Sequence, residues 1–497
     1  MTVISRSSAV ATPRLTRAGF VAGIGAIAYF PVRAAGEPVW LRLSAFGHSS
    51  AIDPYTTQAP NVSDMAWLYA DGLIGASQHG PVALLAEEVP STRNGLVTRD
   101  GRAVRYRLRQ GPLWHDGKEL AAQDVVEVFQ RARRAGWGSN RPYSLVRHIE
   151  ATSRHELRVE LSEPDPMFPM SFFSAYGDPN LPLIRPGRLP IGTGPFAIRS
   201  HSLSTGAYDL KAWPHSPRGM PRIPEMSYRF MPDQNTEAVA FAAGELDIAL
   251  YVPGQFVEAR HLRYARYTGG AVTLIANVTG ALSKISLRSL VWRSIDREEI
   301  RRKVFGDWGL PAPSIVSPEL DRGFAYPTWS PDPAKLRREL SSAAPSGLRL
   351  TYTGLPGIAE RIGLLLAAQL AAVGITLAIK LYSPQEYFAL DGPLRSGRFD
   401  LALDIAPYSL DPDLENKYSC AAAKPPGMNF SRICDPALNR AIDAEDYAAV
   451  TRDLWRDAAV MPLAQIVNAI GLGPRVKRFR VQNYVPITYY CNEWSLK

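Results

Sequence analysis

Residues 39–46 (VWLRLSAF) alternate apolar and polar side chains with period two, the pattern of a strand with one face buried, and the polar, proline-containing residues 47–60 follow as a loop. In residues 97–109 (VTRDGRAVRYRLR) a turn at Asp100-Gly101 precedes the alternating Val104, Tyr106 and Leu108, which predicts a hairpin. Ala121, Val125, Val128, Phe129 and Ala132 then recur at helical spacing on one face. Together these predict a small α+β block over residues 75–185. Residues 236–243 read as a helix stopped by Gly244, and residues 246–252 (LDIALYV) as a buried strand. A clearer unit follows: strand 348–352, helix 359–373 with Leu365, Leu366, Leu370 and Val373 turned inward, Gly374 as its stop, and strand 375–381. Such βαβ units build mostly parallel sheets covered by helices, so residues 275–465 predict a second α/β lobe. The chain carries no internal repeat and no low-complexity tract.

Composition changes this picture at the amino end. With 497 residues the chain exceeds one hydrophobic core. Its first 36 residues carry Arg6, Arg14, Arg17 and Arg33 but no acidic group. Residues 18–32 (AGFVAGIGAIAYFPV) are apolar but too short to span a bilayer, and Val32-Arg33-Ala34 offers small residues for cleavage. Residues 1–34 are therefore read as a cleaved secretory signal, with an uncleaved anchor as the alternative, and the mature chain as periplasmic. The first cysteine is Cys420, so no lipoprotein cysteine follows the apolar run, and Leu15 and Thr16 separate Arg14 from Arg17, so no twin-arginine signal is present. Without the four arginines of the signal the formal charge falls from +9 to +5, and no block of five Lys or Arg marks a nucleic-acid partner.

Candidate chemistry is sparse. Gly47-His48-Ser49-Ser50-Ala51 follows a strand like a nucleophile elbow, but it lacks the final glycine and no helical pattern follows. The eight histidines form no metal-ligand spacing, and His115 lies in a turn with Asp116-Gly117. No phosphate loop is present, so any energy comes from a partner, and no cofactor is expected. Gly192-Thr193-Gly194-Pro195-Phe196 reads as a tight structural turn. Asp411-Pro412-Asp413 lies beyond the strand 400–406, at the carboxyl end where open α/β sheets place ligands, although Asp-Pro is also a common turn starter. In an exported chain the closeness of Cys420 and Cys434 favours their pairing, with three unpaired thiols as the alternative.

Several spans together resemble the family 5 extracellular solute-binding proteins, the dipeptide, oligopeptide and nickel binders of ABC importers. They are Tyr69-Ala70-Asp71-Gly72-Leu73, Leu85-Ala86-Glu87, and above all Leu108-Arg109-Gln110-Gly111 with Trp114-His115-Asp116-Gly117 and Ala122-Gln123-Asp124-Val125. Pro190 to Phe196, Ala243-Gly244-Glu245-Leu246-Asp247, Ser294-Ile295-Asp296-Arg297-Glu298, Asp332-Pro333-Ala334-Lys335, Asp411-Pro412-Asp413, and Asn429-Phe430-Ser431 leading to Cys434-Asp435-Pro436 follow in family order. The resemblance implies an α/β, two-lobed periplasmic-binding-protein fold (class II, cluster C-like) with an α+β subdomain inserted in the first lobe. It places lobe one at residues 35–74, 186–274 and 468–497, the insertion at 75–185 and lobe two at 275–467. It also implies a monomer that closes on a small solute and delivers it to an ABC permease with its ATPase subunits, and it adds weight to the Cys420–Cys434 disulfide.

Departures from the family bear on the solute. Peptide-binding members anchor the peptide amine on an aspartate three residues before the Asp-Pro pair, where this chain has Tyr408, and the preceding aromatic is replaced by Ile405. The segment after Asp443 is also shorter, with residues 444–452 in place of a longer helical stretch. The expected ligand contacts are Ser49 and Asp53 in the loop after the first strand, Asn277 on the crossover into lobe two, Tyr408 as a stacking partner or hydroxyl donor, and Asp411. Candidate solutes run from short peptides through opine-like or glycoside conjugates to metal chelates. The alternatives to a transport binder, which performs no catalysis, are a secreted serine hydrolase using Ser49 and a ligand-sensing module for a membrane receptor.

Overall fold

The structure, a computed structural model, describes residues 40–497 except 48–51, 56–59, 78, 138–141, 177–179, 203–204, 318–319, 321–323, 341–346, 354–357, 383–385, 388–390, 409–411, 413, 425–426 and 484. The expected signal segment lies outside the described residues. No helix among them is long and apolar enough to cross a membrane.

The alternating run becomes β1 (Trp40–Phe46), with Leu41, Leu43 and Ala45 buried. Next come the hairpin β2 (Ile74–Ser77) and β3 (Gly80–Ala83), then an antiparallel sheet of β4 (Ala103–Arg107), β5 (Val146–Ser153) and β6 (Glu156–Leu161) in the order β4-β6-β5. The helix Ala122–Arg134 packs on that sheet through Val125, Val128, Phe129 and Ala132, the face that the spacing predicts. Asp124 starts this helix by accepting from the Ala121 amide at 2.9 Å and the Trp114 indole at 3.0 Å, which explains why Trp114 and Asp124 belong to one signature. Gly117 sits at φ +83°, so the Trp114–Lys118 turn suits a residue without a side chain.

The remaining strands of the main sheet are β7 (Phe196–Ser202), β8 (Ala207–Ala212), β9 (Glu225–Met231), β10 (Ile248–Val252), β11 (Tyr264–Ala276), β12 (Gly347–Thr353), β13 (Thr376–Tyr382), β14 (Leu401–Pro407) and β15 (Val460–Leu472). They form one ten-stranded sheet in the order β13-β12-β14-β11-β15-β10-β1-β9-β8-β7. β1 runs parallel to β9 and β10, and β12 runs parallel to β13 and β14. Helix Gln234–Ala242, capped by Asp233 and closed by Gly244 at φ +78°, precedes β10. Helix Ile358–Ala372 joins β12 to β13 as the βαβ pattern predicts; Leu366, Leu370 and Val373 are buried, as is Ile362, while Leu365 is only partly covered.

The sheet departs from a purely parallel one at its centre. β11 and β15, each 13 residues long, run antiparallel to each other and carry the chain across twice. The first residues of β11 pair with the end of β15 that also contacts β10, whereas Gly270–Ala276 pair with β14. A register shift at Thr268–Gly270 marks the crossing. One core surrounds Leu43, Tyr228, Leu250 and Ile470; beyond the crossing, alternate residues of β11 feed two others. Val272, Leu274 and Ala276 face Leu350, Leu366 and Leu403, while Ile275 faces Phe399, Leu438 and Val450 on the opposite side. The protein is thus a two-lobed α/β fold in which two long strands link the lobes.

Candidate functional site

Both lobes present strand carboxyl ends to the crossing. β1 and β9 end together, with the Gly47 amide donating to the Met231 carbonyl at 2.6 Å, and β10 ends at Val252 opposite Ala469. From the other lobe β14 ends with Pro407 opposite Gly270, and the Tyr408 amide donates to the Gly269 carbonyl at 3.2 Å. Peptide dipoles and unpaired backbone groups at such ends make them the usual ligand position of open α/β sheets.

On the first lobe, Phe46 packs edge-on against Tyr251 at 5.3 Å between ring centres, and Tyr251 donates its hydroxyl to Asp64. Burial raises the Asp64 carboxyl to about 6 against the pull of Tyr251 and of the Ile487 amide at 2.8 Å. Glu237 lies beneath β1 and β10, where Oε1 accepts from Ser44 Oγ and the Leu250 amide, each at 2.9 Å. Desolvation pushes its carboxyl up to about 8, so it is mainly the neutral acid at pH 7.

The second lobe holds a cavity of about 410 Å³ open to solvent. Thr273 and Ile275 of β11, Asp404 of β14 and Val460 of β15 form its floor, Lys417 and Tyr418 of the helix Leu414–Tyr418 one wall, and Met428, Phe430 and Ser431 another. Thr273 and Asp404 are register partners, so their side chains share one face of the sheet. The wall segment lies inside the loop closed by the Cys420–Cys434 disulfide. Asn429 braces it by donating to the carbonyls of Ser419 at 2.9 Å and Ile433 at 2.8 Å while accepting from Ser431 Oγ at 2.7 Å. Cys491 is a buried thiol outside this pair, its ionisation pushed up to about 12 by desolvation. Asp404 feels the same burial, which raises its carboxyl to about 6.

Ser49 and Asp411 lie outside the described residues. Asp53 accepts from the Tyr55 amide at 3.0 Å and forms an ion pair with Arg131, tying its loop to the helix Ala122–Arg134. Asn277 follows the far end of β11, beside the start of β14 and away from the crossing, its amide hydrogen-bonded to the Asp400 carbonyl at 2.9 Å. Its side chain donates to the carbonyls of Gly397 at 2.9 Å and Phe399 at 3.1 Å and accepts from Thr279, which holds a turn. Tyr408 stands at the carboxyl end of β14, packed on Ala271 and Ala312, and donates its hydroxyl to the Ser314 carbonyl at 3.2 Å. The structure therefore brings Tyr408 to the crossing and Asp404 onto the cavity floor of the same strand, while Asp53 and Asn277 are engaged elsewhere. Asp404 is absent from the sequence expectations; the signal for it is a lone carboxylate in the apolar strand LALDIAP.

The other motifs hold backbone together. A Cβ on Gly192 would come within 2.0 Å of the Tyr69 carbonyl oxygen, and one on Gly194 within 2.5 Å of the Ala70 nitrogen, so both glycines allow close chain approach. His115 bridges the same turn, its amide donating to the Gly192 carbonyl at 2.9 Å and its ring Nε2 meeting the Gly194 carbonyl at 3.0 Å. Among the described residues no group of three or more His, Cys, Asp or Glu is placed to hold a metal ion.

The chain is 27% identical over 409 residues to a probable di/tripeptide-binding protein of Pseudomonas aeruginosa, covering 72% of this chain and 75% of that one. It is 24% identical over 376 residues to a glutathione-binding protein of Salmonella typhi, covering 71% of each. Its fold matches a solved ABC transporter substrate-binding protein, CtaP of Listeria monocytogenes, with a TM-score of 0.75 at 19% identity over 92% of this chain and 99% of that one. Residues 80–423 match the family model of bacterial extracellular solute-binding proteins, family 5 (Middle). That span is well over half of the sequence, and the chain belongs to the family 5 bacterial extracellular solute-binding proteins.

Proposed function

We propose that this protein is the exported, monomeric binding component of an ABC importer, which captures a peptide or peptide-like solute between its lobes and presents it to a permease with ATPase subunits. The observation that carries the reading is the convergence of β1, β9 and β10 from one lobe and β14 from the other on the Thr268–Gly270 crossing. A rotation about two strands moves these ends together without breaking either core, which is how hinge closure excludes water from a bound solute. The relatives named as di/tripeptide-binding and glutathione-binding support a peptide-like solute. Ser49, Tyr408 and Asp411 are the proposed solute contacts, with Asp53 bracing its own loop through Arg131; Asn277, at the far end of β11, braces the turn before β14 instead. No bond is made or broken in this reading.

The test is a thermal-shift and calorimetric screen of residues 35–497 against di- and tripeptides, glutathione, opine-like compounds and metal chelates. A solute present at 100 times its Kd adds about 2.7 kcal/mol to the folded state. Small-angle scattering with the bound solute is expected to show contraction. Solute-independent stability together with an unchanged scattering profile across the peptide panel would refute the proposal.

A further inference from the structure

We propose that the cavity of the second lobe receives a cationic group of the solute, an ammonium or a guanidinium, on the carboxylate of Asp404. This inference rests on the solute-binding reading above and specifies the chemistry that one subsite selects.

Asp404 is the only charged residue of β14, between Leu403 and Ile405, and the strand register turns it toward the cavity together with Thr273. Among the described residues its carboxylate accepts from one donor, the main-chain amide of Ile405. The neighbouring acidic positions behave differently. Asp400, at the start of the same strand, accepts from the Arg349 side chain at 3.0 Å, and Asp247 of the first lobe is bound by both Arg42 and Arg475. Asp404 is half-buried on a cavity open to solvent, so its carboxylate keeps acceptor capacity facing that space, where a cation of suitable size meets it. Desolvation holds the Asp404 carboxyl above its ordinary value, at about 6, in agreement with that geometry.

Lys417 lines the same cavity, and its charge opposes the desolvation of Asp404, with no ion pair between the two among the described residues. A lysine keeps its ammonium on a long flexible stem that reaches water, whereas an aspartate is fixed to its strand. The carboxylate is therefore the group that a solute must neutralise. Tyr418 and Phe430 line the same space and supply ring faces suited to a cation. Tyr408, which follows the same strand, directs its hydroxyl at the Ser314 carbonyl. Asp404 offers a carboxylate four residues earlier along the chain, two repeats of the pleat into the lobe.

The cation could be a peptide amino terminus or a basic side chain, and three probes separate these. Trialanine offers the terminus, N-acetyl-Ala-Lys-Ala the side chain, and N-acetyl-trialanine neither. Calorimetry on residues 35–497 is expected to show at least one cationic probe bound about 10- to 100-fold more tightly than N-acetyl-trialanine, the range of a charge-assisted hydrogen bond. Asp404→Asn, which preserves shape, is expected to bring that preference within about threefold. In the wild type, which needs no variant to fold, the preference declines as pH falls through about 6 and Asp404 takes up its proton. The other titratable groups facing it are Lys417, Tyr387 and Tyr418, and burial moves both tyrosines further above that window. Equal preference in Asp404→Asn and wild type, or a preference flat between pH 5 and 8, overturns the inference while leaving solute binding intact. Failure of all three probes to bind the wild type overturns the peptide reading itself, and the inference falls with it.

Discussion

Replacing Arg218 by methionine is expected to cost about 3–5 kcal/mol, because it leaves a buried carboxylate without its partner. Arg218 is 5% exposed and Asp71 fully buried, with Nε donating to Asp71 Oδ1 at 2.7 Å. The same guanidinium donates to the carbonyls of Trp67 at 2.6 Å, Ala70 at 3.2 Å and Tyr489, and stacks over the Tyr489 ring at 5.0 Å. It thus joins the end of the helix Pro60–Tyr69 to the carboxyl-terminal segment. Methionine keeps the apolar stem but removes every donor. Asp71 then retains Thr193 Oγ1 at 3.2 Å, which places the loss toward the lower end of the range. Urea unfolding followed by tryptophan fluorescence measures it: for an m-value of about 3 kcal/mol/M the midpoint falls by roughly 1–1.5 M. The double variant Asp71→Asn with Arg218→Met removes the stranded charge and is expected to recover more than about 1 kcal/mol of the loss. A single variant within about 1 kcal/mol of wild type, or no recovery in the double variant, would refute the reasoning.

Two further perturbations test other parts of the structure. Glu237 binds its proton up to about pH 8 when folded but only to its ordinary value near 4.5 when unfolded, so the folded state holds the extra proton between these limits. Stability therefore falls as pH rises across that window, with a slope approaching 1.4 kcal/mol per unit, and Glu237→Gln is expected to flatten the Tm profile between pH 5 and 8; an unchanged slope would count against a buried neutral acid. Removing the disulfide by Cys420→Ser with Cys434→Ser opens a short loop and is expected to cost about 3 kcal/mol and to expose the segment around Phe430 to proteases. A variant as stable and protease-resistant as wild type would show that Asn429 holds the wall alone.

Features that depend on near neighbours in sequence were legible before the fold was known. The helix Ala122–Arg134, the β12–helix–β13 unit and the stops at Gly244 and Gly374 all follow from periodicity and from backbone angles, which a short window contains. The disulfide was legible for the same reason, since Cys420 and Cys434 are 14 residues apart. Tyr408 was found at the end of its strand because a strand and the loop after it are contiguous. Arg218, in contrast, sits in an unremarkable loop, and its importance comes from partners 147 and 271 residues away.

By itself the sequence determined the lobed α/β character, the α+β pattern after the first strand and the resemblance to a solute-binding family. Those are properties of local pattern and of motif order. Only the tertiary structure decided that β11 and β15 form the centre of one continuous sheet, because pairing between segments about 190 residues apart leaves no periodic trace in either. It also decided the roles of individual polar side chains. Asn277 and Asp53 look like contacts when only their loops are known, yet their hydrogen-bonding capacity is directed at neighbouring backbone and at Arg131. Asp404 looks like an interruption in an apolar strand until β11, β15, the helix Leu414–Tyr418 and the disulfide-bounded loop close around it. A side chain's chemistry depends on which donors the fold brings to it and how much water it removes, and neither quantity is local in sequence.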